Sequence, residues 1–260
     1  MSLHDDMIAM GDRALAASRR LALLGTAARN AILGAMADGI EAAKAAIQEA
    51  NRRDVEDGRK AGLSAAMIDR LLLGDKRLQD MTQGLRTVAG LKDPVGEELS
   101  RWKRPNGLEI VKVRVPIGVI AIIYESRPNV TADSAGLCLK TGNAVILRGG
   151  KEARNSNLAI VEAMMAGGRK KGLPEDSIQF VRTTDHAAVK ELVQLEGLVD
   201  LAIPRGGEAL IRSVTENARI PVIKHYKGVC HTYVDETADL DMAVKICENA
   251  KCQRPGVCNA

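Results

Sequence analysis

From about Asp5 to Leu91 apolar residues return at intervals of three and four, and Leu21, Leu24, Ala28, Ile32, Ala35 and Met36 fall on one helical face. This pattern predicts a layer of amphipathic helices. Glycine and aspartate near Gly58, Gly62 and Gly74 punctuate the layer, Ser64 stands where an N-cap is expected, and Pro94 closes it. No fixed-period repeat emerges. Beyond Pro94, SRWKRPNGLEIVKVRVP sets Asn106-Gly107 between a basic stretch and the alternating Leu108, Ile110, Val111, Val113 and Val115, which predicts a β-hairpin. The runs GVIAIIY, AVILR, IQFV, LVDLAIP, PVIK and CHTYVD follow, short and aliphatic. Helical segments separate most of them, near Val130 to Lys140, Asn155 to Lys171, His186 to Gln194, Gly207 to Ala218 and Leu240 to Cys252. Such alternation predicts a doubly wound, Rossmann-like α/β domain, a parallel sheet with helices on both faces and ligands at the C-terminal ends of its strands.

Composition narrows the class. A chain of 260 residues buries a large core without a disulfide framework, and a balance of 46% hydrophobic to 27% charged residues is that of an ordinary globular protein. One Trp, three Tyr and one Phe leave few platforms for stacking bases, which argues against single-strand nucleic-acid binding. The net charge of +4 is small and interspersed, so it points to no polyanion, although small anionic ligands fit it. The start, MSLHDDMIAMGDR, carries acids where a signal peptide would be basic, and the longest apolar run, VPIGVIAIIY, is half a membrane span; a soluble, cytoplasmic protein is expected. Five cysteines, Cys138, Cys230, Cys247, Cys252 and Cys258, are odd in number and lack CxxC pairing, so neither disulfides nor a metal site is expected.

Four segments carry candidate chemistry. In AVILRGGKEARNSN a buried-type strand ends at Arg148, Gly149, Gly150 and Lys151 before a helix. Glycines admit a ligand close to the backbone, and the two cations can hold a phosphate or ribose; a tight turn with solvated charges explains the spacing equally well. LAIPRGGEALIRSV repeats the arrangement, with Pro204, Arg205, Gly206 and Gly207 opening the next helix onto its free N–H groups. Two such exits in one sheet suggest a dinucleotide, although neither GxGxxG nor GxxxxGK[ST] is present and glycine capping accounts for either exit taken singly. In IIYESRPNVTADSAG, Asn129 lies between the most apolar strand and a helix, where its amide can face a developing oxyanion or simply cap the helix. In KCQRPGVCNA a Pro-Gly turn lifts Cys258 out of the preceding helix, as a nucleophile requires, whereas Cys252 reads as part of that helix; spacing alone does not separate a catalytic thiol from inert packing.

Taken together, PIGVIAIIYESRPNVTADSAGLCLKTGNAVILRGGKEARNSN, the PRGG turn, KGVCHTYVDETADLD and CQRPGVCNA resemble the aldehyde dehydrogenase superfamily over nearly the whole chain. YESRPNVT, ILRGGKEA and RPGVCNA resemble in particular its branch acting on glutamyl 5-phosphate. The resemblance implies an aldehyde dehydrogenase-like fold and NADPH-dependent reduction of L-glutamyl 5-phosphate to L-glutamate 5-semialdehyde, a step of proline biosynthesis. It implies that Cys258 is the nucleophile, that Asn129 helps hold the oxyanion, that Arg148 and Lys151 lie near the adenosine end of NADPH, and that Arg205, Gly206 and Gly207 lie near its phosphates. It assigns residues 1–94 to the helical part of the cofactor-binding domain, 95–116 to a hairpin used in oligomerisation, 117–253 to the Rossmann-like NADPH-binding domain and 254–260 to the start of a catalytic domain.

Two departures bear on this expectation. Hydrolytic members of the superfamily carry a Glu near the position of His225-Tyr226-Lys227-Gly228, and no acid stands there, as suits an enzyme that must not hydrolyse its thioester. The chain also stops at Ala260, two residues after Cys258, where the family continues, so the piece reads as C-terminally truncated and is expected to be inactive by itself. A CoA-acylating aldehyde dehydrogenase and a noncatalytic nucleotide-binding fragment are the alternative readings.

Overall fold

The structure, a computed structural model, describes residues 2–226 and 228–253. Its N-terminal layer comprises α1 (Leu3–Leu21), α2 (Thr26–Ala42), α3 (Lys44–Lys60), α4 (Ala65–Leu71) and α5 (Asp75–Gly90). Ser2 and Asp5 close a capping box on α1, with the Asp5 amide donating to Ser2 Oγ at 3.2 Å and the Ser2 amide to the Asp5 carboxylate at 3.0 Å. Ser64 caps α4 as the sequence predicts, its Oγ accepting from the Met67 amide at 3.3 Å. Two expectations change. The apolar face from Leu21 to Met36 is not one helix, because Gly25 takes extended backbone as the N-cap of α2 and splits the pattern across two. Gly58 does not punctuate the chain; it lies inside α3, where an added Cβ would press on Leu63 and Ile68 at 3.0 and 3.1 Å. Close packing of α3 on its neighbours, not a turn, requires that glycine.

A hairpin follows, β1 (Glu98–Lys103) antiparallel to β2 (Glu109–Val113), with Gly107 at φ +87° in the turn as the Asn-Gly pair predicts. Both strands are largely solvent-exposed, including Leu99 and Trp102.

The centre is a parallel sheet of β3 (Val119–Tyr124), β4 (Ala144–Arg148), β5 (Ile178–Phe180) and β6 (Leu201–Arg205), in the order β5-β4-β3-β6. Between and after these strands run α6 (Asn129–Lys140), α7 (Arg154–Arg169), α8 (Ala187–Leu192) and α9 (Glu208–Asn217). Every residue of β3 and β4 is buried, which is why these runs read as continuously apolar and not alternating. Helices α6 and α7 pack together on one face with α2 and α5 stacked upon them, and α1 with α8 covers the other. Successive connections step from β3 through β4 to β5, then cross back to β6 on the far side of β3. The order therefore reverses beside β3, and in an open α/β sheet that switch point, at the strand C-termini, is where ligands bind.

The last two sequence-predicted strands do not form as expected. Around PVIK only Val222 bridges to Ala202, with Pro221 lacking the N–H a ladder needs. CHTYVD is exposed and unpaired among the described residues. It belongs to a second compact unit beginning at His225, which contains α10 (Leu240–Cys252), N-capped by Asp239 accepting from the Met242 amide at 3.0 Å. No helix among the described residues is long and apolar enough to cross a membrane.

Candidate active site

Register places both Arg-Gly-Gly exits against the end of β3: Ile123 pairs with Arg148 on one side and Pro204 on the other, and Tyr124 pairs with Arg205. Beside the first exit opens a cavity of about 520 Å³, walled by Glu125, Ser126, Arg148, Gly150, Lys151 and, from α9, Leu210; Arg205, Gly206 and Gly207 do not line it.

The first exit is held from beneath. Arg148 is only 6% exposed and donates Nη1 to the Gly149 carbonyl at 3.0 Å and Nη2 to the Thr184 carbonyl at 3.2 Å, while its Nε is buried with no partner. Burial pulls its guanidinium below the ordinary value, against the supporting charges of Glu152 and Asp185. Gly149 is needed for packing, since a Cβ there would collide with the Asn157 amide and stand 3.2 Å from the Tyr124 ring. Tyr124 in turn hydrogen-bonds Thr131 at 2.6 Å and Thr131 donates to Asn157 at 3.0 Å, so one buried chain ties the end of β3 to α6 and α7. Lys151 is exposed and opens a single 3-10 turn, Lys151–Ala153, that leads into α7.

The N-terminus of α7 is capped from another helix altogether. The buried carboxylate of Asp54, on α3, accepts from the Asn155 amide and side chain at 3.2 and 2.9 Å and from the Ser156 amide and hydroxyl at 2.7 and 2.6 Å. Asn51, one turn earlier, donates to Ser156 at 3.0 Å and to the Leu71 carbonyl at 2.7 Å. A carboxylate at this position satisfies N–H groups that a helix start otherwise leaves open. No local signal announces it, because the partners stand about a hundred residues apart, beyond the reach of a motif.

The second exit is more open. Gly207 is the N-cap of α9, and its amide donates to Glu125 Oε1 at 3.0 Å. A Cβ on Gly206 would lie 2.6 Å from the Glu125 carboxyl carbon and 2.8 Å from Leu210 Cδ2, so a side chain here would have to displace both. Glu125 was not singled out by sequence reasoning, although YESRP carries it directly after the buried strand.

The structure thus brings Arg148, Gly149, Gly150 and Lys151 to one side of β3 and Pro204, Arg205, Gly206 and Gly207 to the other. Asn129 begins α6 but is exposed and donates Nδ2 to Asp133 at 3.1 Å, and it does not line the cavity. Cys252 ends α10, as predicted, and Cys258 lies outside the described residues. Cys138, by contrast, is buried in α6, and burial pushes its thiol up to about 12, which removes it as a nucleophile.

The Aldehyde dehydrogenase family model matches residues 3–260, and the chain belongs to that family. It is 57% identical over 250 residues to a gamma-glutamyl phosphate reductase of Moorella thermoacetica, covering 96% of this chain and 60% of that protein. Against a gamma-glutamyl phosphate reductase of Mesorhizobium japonicum the identity is 54%, over 98% of this chain and 61% of the relative. The crystal structure of gamma-glutamyl phosphate reductase from Thermotoga maritima superposes with a TM-score of 0.92 at 45% identity, covering 98% of this chain and 61% of that one. An acetylating aldehyde dehydrogenase from Geobacillus thermoglucosidasius shares the fold, with a TM-score of 0.65 at 18% identity. The chain spans about 60% of the length of the relatives it matches. Aldehyde dehydrogenases use a nicotinamide cofactor.

Proposed function

We propose that this chain is the NADPH-binding portion, together with the nucleophile, of a cytoplasmic enzyme that reduces L-glutamyl 5-phosphate to L-glutamate 5-semialdehyde and phosphate in proline biosynthesis. The observation that carries the reading is that two Gly-Gly strand exits flank the end of β3 at the switch point of a parallel sheet, beside a cavity lined by the first exit, Glu125 and α9. The donor set suits a dinucleotide: a buried guanidinium with an unspent Nε, an exposed lysine beside it, and a helix N-terminus opposite. Arg148 and Lys151 serve the adenosine end; Arg205, Gly206 and Gly207 serve the phosphates.

In this reading the Cys258 thiolate attacks the acyl carbon of the substrate, the carbon–oxygen bond to phosphate breaks, and phosphate leaves with its bonding electrons. The Asn129 amide donates to the oxyanion that forms on the way. NADPH, when bound, supplies the hydride that reduces the resulting thioester. Collapse of the thiohemiacetal then expels the thiolate and releases the aldehyde, so Cys258 emerges unchanged. Residues 1–94 and 117–253 form the cofactor-binding part, residues 254–260 open the catalytic domain, and the hairpin of residues 95–116 belongs to an oligomer contact.

Intact-mass analysis after incubation with glutamyl 5-phosphate tests the covalent step. A single acyl adduct that maps to Cys258 and vanishes in Cys258→Ser is the expected result. An adduct retained in Cys258→Ser, or one on another residue of the unmutated chain, contradicts it, and turnover to the aldehyde is not expected of this chain alone.

A further inference from the structure

Each Gly-Gly exit closes around a carboxylate. At the first, a Cβ on Gly150 would lie 2.6 Å from Glu152 Oε2, which also accepts from the Ser126 hydroxyl at 3.0 Å. At the second, Glu125 accepts from the Gly207 amide at 3.0 Å, and the bare Cα of Gly206 makes room for it. A carboxylate is the side-chain group nearest to a phosphate in charge and hydrogen-bonding, and the N-terminus of a ten-residue helix attracts either.

We propose that Glu125 is an internal competitor for the cofactor's phosphate: its carboxylate holds the N-terminus of α9 until a phosphate displaces it. The inference rests on the nucleotide reading above and adds to it a residue that sets affinity. A second observation points to an anionic ligand in the cavity that Glu125 lines. Arg148, in the wall of the same cavity and 6% exposed, keeps a buried Nε with no partner, a donor that Glu125 leaves unused. Glu125 is itself exposed, in the short loop between β3 and α6, so among the described residues swinging it aside breaks one side-chain hydrogen bond and disturbs no core. Measured affinity is then the intrinsic affinity reduced by the fraction of molecules in which the carboxylate has withdrawn.

Glu125→Gln keeps an oxygen for the Gly207 amide and removes only the charge; Glu125→Ala removes both. Titration by NADPH fluorescence, alongside inorganic pyrophosphate as a simpler anion, separates the possibilities. The expected result is a Kd for each ligand about fivefold lower in Glu125→Gln, and at least as low in Glu125→Ala, with the gain shrinking as salt is raised. Unchanged Kd values overturn the inference. So do weaker ones, which assign the carboxylate to a ribose hydroxyl. Tighter pyrophosphate binding with no NADPH binding in any of the three proteins sustains the competitor and defeats the nicotinamide reading. Binding of neither ligand by any of them defeats both.

Discussion

Arg148-Gly149-Gly150 and Arg205-Gly206-Gly207 are the same residue types at the ends of two strands flanking β3, and the fold uses them differently. At the first, the arginine is buried, the glycine is pressed between the Tyr124 ring and the Asn157 amide, and the following helix is anchored to α3 by Asp54. At the second, the arginine is exposed, and the glycines face the exposed carboxylate of Glu125 at the start of α9. One exit is built into the core, the other stands at the surface. Identical triplets thus answer the question left open by spacing in two ways: contact with the Asn157 amide and the Tyr124 ring explains Gly149, and contact with the Glu125 carboxylate and Leu210 explains Gly206.

Substitution breaks this symmetry most sharply at the glycines. Gly149→Ala forces a Cβ into the Asn157 amide and is expected to cost about 3 kcal/mol, read as a lower urea midpoint at unchanged slope. Gly207→Ala meets only Glu125 Oε1 at 3.5 Å, an ordinary contact, and is expected to cost less than about 1 kcal/mol. Equal costs would show that both exits are packed alike. Asp54→Ala leaves the Asn155 and Ser156 amides without their acceptor and is expected to lose about 2 kcal/mol of unfolding free energy. It should also loosen the first exit while leaving hydrogen exchange at the second unchanged. The smallest effect on stability is expected for Arg148→Met, which removes a poorly satisfied buried cation for an apolar chain of similar length and stays within about 1 kcal/mol. Its NADPH affinity is nonetheless expected to fall about tenfold, a loss worth about 1.4 kcal/mol.

How far this was legible beforehand depended on distance along the chain. The parallel sheet announced itself because β3 and β4, buried on both faces, are uninterrupted apolar runs, and Asn106-Gly107 marked the hairpin through its turn geometry. Ser64 was readable as a cap because its acceptor and donor are three residues apart. Asp54 was not, because its cap reaches from one helix to another about a hundred residues on. The expected strands at PVIK and CHTYVD failed for a related reason: strand propensity needs a neighbour to pair with, and composition does not report whether one is present. Arg148 read either as a cation holding a phosphate or ribose or as a solvated charge in a tight turn, because sequence shows the charge and hides the burial. Glu125 was passed over because nothing local reveals that Gly207 approaches it from the far end of another strand.

The central claim is that both exits belong to one nucleotide site. Amide hydrogen–deuterium exchange with and without saturating NADPH tests it most directly, because it reads each exit separately in the unmutated chain. The account predicts slowed exchange at residues 149–154 and at 206–210 together, with the hairpin strands β1 and β2 unaffected. Slowing at one exit alone, or at neither while NADPH is bound elsewhere, would contradict it.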